Sequence, residues 1–270
     1  TDIQRYQPDV VILIDYPGFN LKIAKFVKQQ LGLPVYYYIS PKIWAWKQYR
    51  IKAFRRYVDK MFCILPFEPA FFERLHYPVH YVGNPSVDAV ADYRKHQAVD
   101  RAVFCQTAGL QTDRPILALL AGSRKQEIRT NLPMMLRVAA SFPEYQPVIA
   151  GAPGIDPAYY QPFMAQTSAQ IVFGQTYALL LHSDVALVTS GTATLETALF
   201  RVPQVVCYYV AAGRLASFIF KHFFHTPFIS LVNLIGEREI VQELFGARFS
   251  EETIRAELAC ILRNEADRQR

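Results

Sequence analysis

Cysteine is sparse and scattered in this sequence. Cys63, Cys105, Cys207 and Cys260 form no C-x-x-C pair, which excludes the usual frameworks for a structural zinc site or a disulfide-stapled fold. Buried or idle thiols in a reducing compartment fit better. The histidines form no H-E-x-x-H motif and no zinc-finger pattern with the cysteines, so neither a metal nor a cofactor is expected. No apolar stretch is long enough to span a bilayer, and the opening TDIQRYQPD lacks the apolar core of a signal peptide. There is no G-x-S-x-G nucleophile elbow, no paired-carboxylate signature and no Walker spacing. Internal repeats and low-complexity runs are missing too. Charged residues make up 19% of the chain against 51% apolar, a balance that fills sizeable cores and argues against disorder.

What is present is a net charge of +6 with 19 Phe and 16 Tyr. A basic excess suits an anionic partner: nucleic acid, a phosphorylated small molecule or an acidic membrane surface. Short apolar runs alternate with helical patterns, the mark of βαβ units and a parallel sheet. DVVILID (9–15) reads as a buried strand, LKIAKFVKQQLG (21–32) as a helix, and PVYYYIS (34–40) as the next strand. A basic helical segment (47–58), a strand (60–67), a helix (69–75), a short strand (80–84) and a helix (85–96) follow. The polar stretch 97–115 reads as a linker, or a linker with a short helix, after which strands at 116–122, 146–151, 169–174, 184–188 and 203–209 begin a second series. Asn131 is placed to cap a helix over 131–142, with Pro133 in its first turn, and a polar helix over 251–267 carries a stripe of Ile254, Leu258, Ile261 and Leu262. The expected fold is α/β with two Rossmann-like halves, 1–107 and 108–270, facing a cleft. The first half has too few strands for a complete doubly wound domain, so it is expected to be truncated at its N-terminus.

Ligands of such sheets bind outside the carboxyl ends of strands, which makes each strand-to-helix junction a candidate site. In SDVALVTSGTATLE (183–196) a buried strand meets small hydroxylated residues and then a helix carrying Glu196. A capping box needs Ser or Thr three residues before the Glu, and that position is Ala193. Thr192 lies four before it on the same helical face. Glu196 can then accept from the two hydroxyls of a ribose, while Ser190, Gly191 and Thr192 offer free amides at a helix start, a seat for phosphate. The alternative is a solvated helix glutamate after a Ser/Thr cap. In LLAGSRKQEI (119–128), Gly122 allows close backbone approach, Ser123 adds a hydroxyl and Arg124 offers a bidentate fork, although a surface arginine in a salt bridge has the same appearance. In FISLVNLIGEREIVQEL (228–244), Asn233 can read a uracil edge or a sugar. Glu237, Arg238 and Glu239 can equally begin a helix that runs to Leu244.

In the first half, Asp15 ends a strand just before Pro17 and Gly18. That position suits a general base, and equally an ordinary helix cap. ISPKIWAWKQYRIKAFRR (39–56) sets both tryptophans, Trp44 and Trp46, beside Lys42, Lys47, Arg50, Lys52, Arg55 and Arg56. Lipid headgroups suit such a mixture. Nucleic acid would use the same residue types, but no recognised nucleic-acid motif accompanies them. A core tryptophan pair beside a solvated basic helix is the plain alternative. GRLASFIFKHFFHTPF (213–228) reads either as an interfacial segment or as a buried helix.

Taken in order, IDYPGFN, YISPKIWAWKQYR, LPFEPAFF, YVGNPSVDA, LLAGSRKQEI, SDVALVTSGTATLE and SLVNLIGEREIVQEL resemble the lipid-A-disaccharide synthases, inverting GT-B glycosyltransferases of Gram-negative bacteria. The resemblance covers nearly the whole chain. SP-x-x-WAW together with SGTA-x-LE is specific, whereas GSR and GTA-x-LE singly occur more widely. It implies a donor, UDP-2,3-diacylglucosamine, an acceptor, 2,3-diacylglucosamine 1-phosphate, and as products a β-1,6-linked disaccharide and UDP. It further implies Asp15 as general base, Arg124, Ser190, Gly191, Thr192, Glu196 and Asn233 in the UDP-sugar site, and no metal. The family works in the cytoplasm, peripherally on the inner membrane, which would give Trp44, Trp46, Lys47 and Arg50 an acceptor- and membrane-facing role. Its C-terminal segment can exchange between subunits, which implies a homodimer. The departures are a missing upstream Gly-rich loop, Asn84 where His is usual, Val232 where Pro commonly precedes the Asn, and an early end in RNEADRQR. The rivals are a GT-B-like enzyme on UDP-N-acetylglucosamine (a transferase or a 2-epimerase, the latter lacking the WAW stretch) and a non-catalytic lipid-sugar-binding module.

Overall fold

Alternating strands and helices with no hairpin turn signals leave a parallel sheet as the way to pair the strands. The computed structural model describes residues 2–45, 47–189, 191–210 and 228–263. Among them the chain packs as two units that divide between Pro85 and Ser86.

The first unit runs α1 (Asp2–Tyr6), β1 (Val11–Ile14), α2 (Pro17–Phe26), β2 (Val35–Tyr38), α3 (Ile51–Tyr57), β3 (Lys60–Cys63), α4 (Glu68–Arg74) and β4 (His80–Tyr81). Its strands are all parallel and lie in chain order, β1-β2-β3-β4. The core gathers Leu13, Val35, Tyr37, Phe54, Met61 and Phe72, with the Tyr37 ring edge-on to Phe54 at 5.6 Å. The apolar run at 9–15 leads one to expect a strand buried on both faces. β1 instead alternates, with Leu13 inside and both Ile12 and Ile14 57% exposed. The neighbouring β2 and β3 alternate in the same way, so this sheet buries one face more completely than the other.

The second unit begins with α5 (Pro85–His96) and α6 (Arg101–Ala108). The stretch expected to be a linker, or a linker with a short helix, does carry the helix, and it is packed: Phe104 and Cys105 of α6 are buried, and the Arg101 guanidinium donates to the carbonyls of Thr112 (3.0 Å) and Arg114 (2.9 Å). Then follow β5 (Ile116–Leu120), α7 (Lys125–Ala140), β6 (Gln146–Gly151), α8 (Gln161–Met164), β7 (Gln170–Phe173), α9 (Thr176–His182), β8 (Val185–Val188), α10 (Thr192–Leu199), β9 (Gln204–Tyr208), α11 (Leu231–Gly236), β10 (Glu243–Phe245) and α12 (Glu251–Arg263). All ten strands of the two sheets pair in parallel. Every residue of β5 is buried, as a strand covered by helices on both faces must be. Leu117 and Leu119 point to a cluster with α7 and α12 through Ile128, Leu132, Ile254 and Leu258. Ile116, Ala118 and Leu120 point to the opposite cluster with Phe104, Leu179 and Leu180.

The second sheet is ordered β10-β9-β8-β5-β6-β7. The chain builds outward from β5 to β7, returns to the other side of β5, and builds outward again from β8. The order therefore reverses between β5 and β8, which is where a crevice opens at the carboxyl ends of the strands. Two local expectations change. α7 starts at Lys125, so Asn131 lies in its second turn and caps nothing. Asn131 is buried, donates to the Ala121 carbonyl (3.3 Å) and accepts from the Tyr209 amide (2.8 Å), tying the ends of β5 and β9 together. Pro133 sits within the helix rather than in its first turn. Among the described residues no helix is long and apolar enough to cross a membrane. The apolar segment 213–228 lies outside the described residues apart from Phe228.

Candidate functional site

The two junctions singled out in the second half of the sequence follow β5 and β8, and these strands are neighbours: the Thr189 amide donates to the Leu120 carbonyl at 2.8 Å. After β5, Gly122 has φ +114°, and a Cβ there would lie 2.6 Å from Glu127 Cβ and Oε2. Glycine is thus required both by conformation and by space. Glu127 Oε2 accepts the amides of Ser123 (2.9 Å) and Arg124 (3.3 Å), and its Oε1 takes the Arg124 guanidinium at 2.8 Å. Glu127 was not among the sequence candidates. Its signal is its place three residues after the cap, the reciprocal half of a capping box. Arg124 remains 79% exposed, so it satisfies the salt-bridge reading and still presents most of its fork to solvent.

After β8, Gly191 caps α10 at φ 144°, a conformation that only glycine adopts freely. The small hydroxylated residues then divide by role. Thr194 and Thr197 are fully buried and bond to the Gly191 carbonyl (2.9 Å) and the Ala193 carbonyl (2.7 Å), while Thr192 is exposed. Thr189, which the sequence reading passed over, is buried at the strand end, and its hydroxyl has no hydrogen-bond partner among the described residues. An orphaned buried hydroxyl is costly. Glu196 is half-buried and accepts from the Tyr177 hydroxyl at 3.2 Å, so it is not a freely solvated helix glutamate. Ser190 lies outside the described residues.

Asn233 departs from expectation. It is 0% exposed. Its amide nitrogen donates to the Val241 carbonyl (2.8 Å) and Glu243 (3.0 Å), and its oxygen accepts the amides of Ile240 (2.7 Å) and Val241 (2.9 Å). Every hydrogen-bonding position of the side chain is consumed inside the protein, leaving nothing to read a uracil edge or a sugar. Glu243, also missed, is buried beside it and accepts from the amide (2.8 Å) and hydroxyl (2.6 Å) of Ser230 at the start of α11. The helix expected from Glu237 to Leu244 is replaced by α11 before it, closed by Glu237 at φ 53°. Replacing Asn233 by alanine strands the amides of Ile240 and Val241, and is expected to lower unfolding stability by about 2 kcal/mol. Denaturant unfolding measures this. A variant with wild-type stability and lost UDP binding would return Asn233 to the ligand.

In the first unit, Asp15 follows β1 with its carboxylate exposed. Tyr16, not Asp15, caps α2. Asp15 and Tyr16 are consecutive left-handed residues, φ 45° and 44°. Asn20 holds this turn by donating to the carbonyls of Ile14 (2.8 Å) and Asp15 (2.6 Å), and the Tyr37 hydroxyl donates to the Asp15 carbonyl as well. Among the described residues no hydrogen bond or ion pair reaches the Asp15 carboxylate.

A family model for lipid-A-disaccharide synthetases matches residues 1–270. The chain belongs to this family. The lipid-A-disaccharide synthase of Myxococcus xanthus is 39% identical over 93% of this chain, and the chain spans 65% of that relative's own length. The enzyme of the same name from Syntrophus aciditrophicus is 36% identical over 99% of this chain and 70% of the relative. Among solved structures, a UDP-GlcNAc 2-epimerase from Neisseria meningitidis bound to UDP-GlcNAc has a TM-score of 0.68 at 13% identity, covering 99% of this chain and 72% of that one. At that identity the likeness concerns the fold alone, which is α/β and GT-B-like.

Trp44, the first tryptophan of the WAW stretch, is held by a residue that was not among the sequence candidates. Glu68 is 1% exposed. Its carboxylate accepts from the Ser40 hydroxyl, the Trp44 indole (3.2 Å) and the amides of Ile64 (3.1 Å) and Leu65 (2.9 Å). Burial raises its pKa above the ordinary 4.5, partly countered by those hydrogen bonds. Trp44 is itself buried, 5% exposed and edge-on to Phe67 at 5.1 Å. It is therefore a core residue and does not face a membrane, because its indole nitrogen is spent on Glu68. Lys47 and Arg50 are half-exposed, and Trp46 lies outside the described residues.

Proposed function

We propose that this chain joins the diacylglucosamine of UDP-2,3-diacylglucosamine to the 6-hydroxyl of 2,3-diacylglucosamine 1-phosphate, with inversion at the anomeric carbon, forming the β-1,6 disaccharide and UDP. The observation that carries this reading is the convergence of two glycine-bearing strand ends at the reversal of the second sheet, one with Arg124 and the other with Thr192 and Glu196, in a chain of this family. Arg124 and the helix-start amides near Gly191 stabilise the negative charge gathering on the departing UDP. Glu196 accepts from the ribose hydroxyls. The unpaired Thr189 hydroxyl supports a polar ligand at the same strand ends. Asp15, whose carboxylate is exposed and unpaired, removes the proton of the attacking hydroxyl. Displacement by one base inverts the carbon without a covalent intermediate. Acylated substrates place the reaction at the inner membrane surface, and α2 and α3 support that with exposed Lys22, Lys25, Lys52, Arg55 and Arg56.

UDP release from the diacylated donor tests the reading. Release that depends on the acylated sugar 1-phosphate is expected. Conversion of UDP-N-acetylglucosamine with no acceptor present would replace it by an epimerase, and binding of acylated sugar phosphate without UDP release would replace it by a binding module.

A further inference from the structure

Glu196 stands one turn into α10 and is half-buried, with one carboxylate oxygen accepting from Tyr177 of α9 at 3.2 Å. The other oxygen has no hydrogen-bond partner among the described residues. A glutamate has three rotatable bonds, and an unheld carboxylate at a helix surface samples many orientations. This one is tethered to a hydroxyl that is itself immobile. The Tyr177 ring is edge-on to Tyr93 of α5 (5.5 Å, 80°) and tilted against Phe200 (5.2 Å, 54°), and Tyr93 and Phe200 also meet edge-on (6.1 Å, 73°). Three mutually packed rings, Phe200 being buried, leave the phenol one direction in which to point. Burial and the neighbouring carboxylate push the Tyr177 pKa up to about 12, so at neutral pH the group is a donor and Glu196 an acceptor.

We propose that Tyr177 is a positioning residue for the nucleotide ribose. It holds Glu196 so that the remaining carboxylate lone pairs meet the 2′- and 3′-hydroxyls together, and it thereby sets the preference for a ribonucleoside over a 2′-deoxyribonucleoside diphosphate. This rests on the reading of Glu196 as the diol acceptor. Tyr177 makes no contact with the ligand; it acts by removing the orientations of Glu196 that would engage one hydroxyl or none.

The test compares binding of UDP, 2′-deoxy-UDP and inorganic pyrophosphate to the wild-type protein, Y177F and E196Q. Phenylalanine keeps the ring packing and removes the donor, and the unfolding midpoint of Y177F verifies that the fold is retained. Wild type is expected to bind UDP about tenfold more tightly than 2′-deoxy-UDP, as sites built to bond a hydroxyl discriminate against its loss. E196Q should abolish the preference, and Y177F should reduce it to about twofold. Pyrophosphate affinity should stay constant throughout, which a general loosening of the unit would not allow. If E196Q loses the preference and a folded Y177F keeps it in full, the role of Tyr177 is refuted while Glu196 keeps its own. If wild type shows no preference, or E196Q retains it, the diol reading fails and the Tyr177 proposal fails with it.

Discussion

Asp15→Ala, and equally Asp15→Asn, is expected to cut turnover by about 100-fold or more, the usual contribution of a positioned general base, while UDP affinity stays within about twofold. The asparagine variant matters more, since it keeps size and polarity and removes only the basic lone pair. The local geometry supports the choice of Asp15. Two successive non-glycine residues in the left-handed region, Asp15 and Tyr16, cost on the order of 1–3 kcal/mol each. That strain is retained because Asn20 and Tyr37 anchor the Asp15 carbonyl and Asn20 also bonds Ile14. All of this anchoring acts on the backbone, so the side chain is left unengaged. The residues proposed to seat UDP belong to the other unit, hence the expected separation of turnover from nucleotide binding. Steady-state UDP release and equilibrium UDP binding, measured on the same preparations, decide it. Turnover above about a tenth of wild type in the asparagine variant would remove Asp15 from the role.

The second large effect concerns stability. Glu68→Ala is expected to destabilise the first unit by about 3–5 kcal/mol, because it leaves a hydroxyl, an indole N–H and two amides buried without an acceptor. Trp44, buried in the first unit and bonded to Glu68, makes intrinsic fluorescence during denaturant unfolding a reporter of it. The pH dependence has a definite sign. The folded-state pKa of Glu68 is raised, burial being the largest cause. Its contribution is therefore fully present below the unfolded value of 4.5 and is lost as pH rises through the folded value. Glu68→Gln does not titrate. The stability advantage of wild type over that variant should shrink as pH increases from about 4 to 7. An advantage that grows over this interval would mean that the hydrogen bonds outweigh burial and hold the pKa down.

Legibility differed sharply between backbone and side chains. Apolar runs alternating with helical patterns were sufficient for the parallel α/β architecture. Gly122 and Gly191 could be recognised as junction residues because the need for a positive φ is local. Face coverage was not legible: the run VILI of β1 reads like a strand buried on both faces, yet Ile12 and Ile14 lie exposed on a sheet that buries one face more completely than the other. Helix starts slipped for a related reason. Asn131 has the residue type of a cap, yet a carboxylate one turn earlier, Glu127, performs that role seven residues after β5 ends.

The sequence by itself determined the alternating βα order, the two glycine-bearing strand ends and the family, since each depends on residues adjacent in the chain or on their order along it. Tertiary structure alone decided that β5 and β8 are neighbours, which brings junctions about 70 residues apart side by side at the carboxyl ends of the strands. It alone decided what each polar side chain is for. Trp44 serves Glu68, Asn233 serves the 240–243 turn, and Tyr177 serves Glu196. A buried polar group must find a partner, and which partner it finds depends on what the fold brings within 3 Å or so, whatever the separation along the chain.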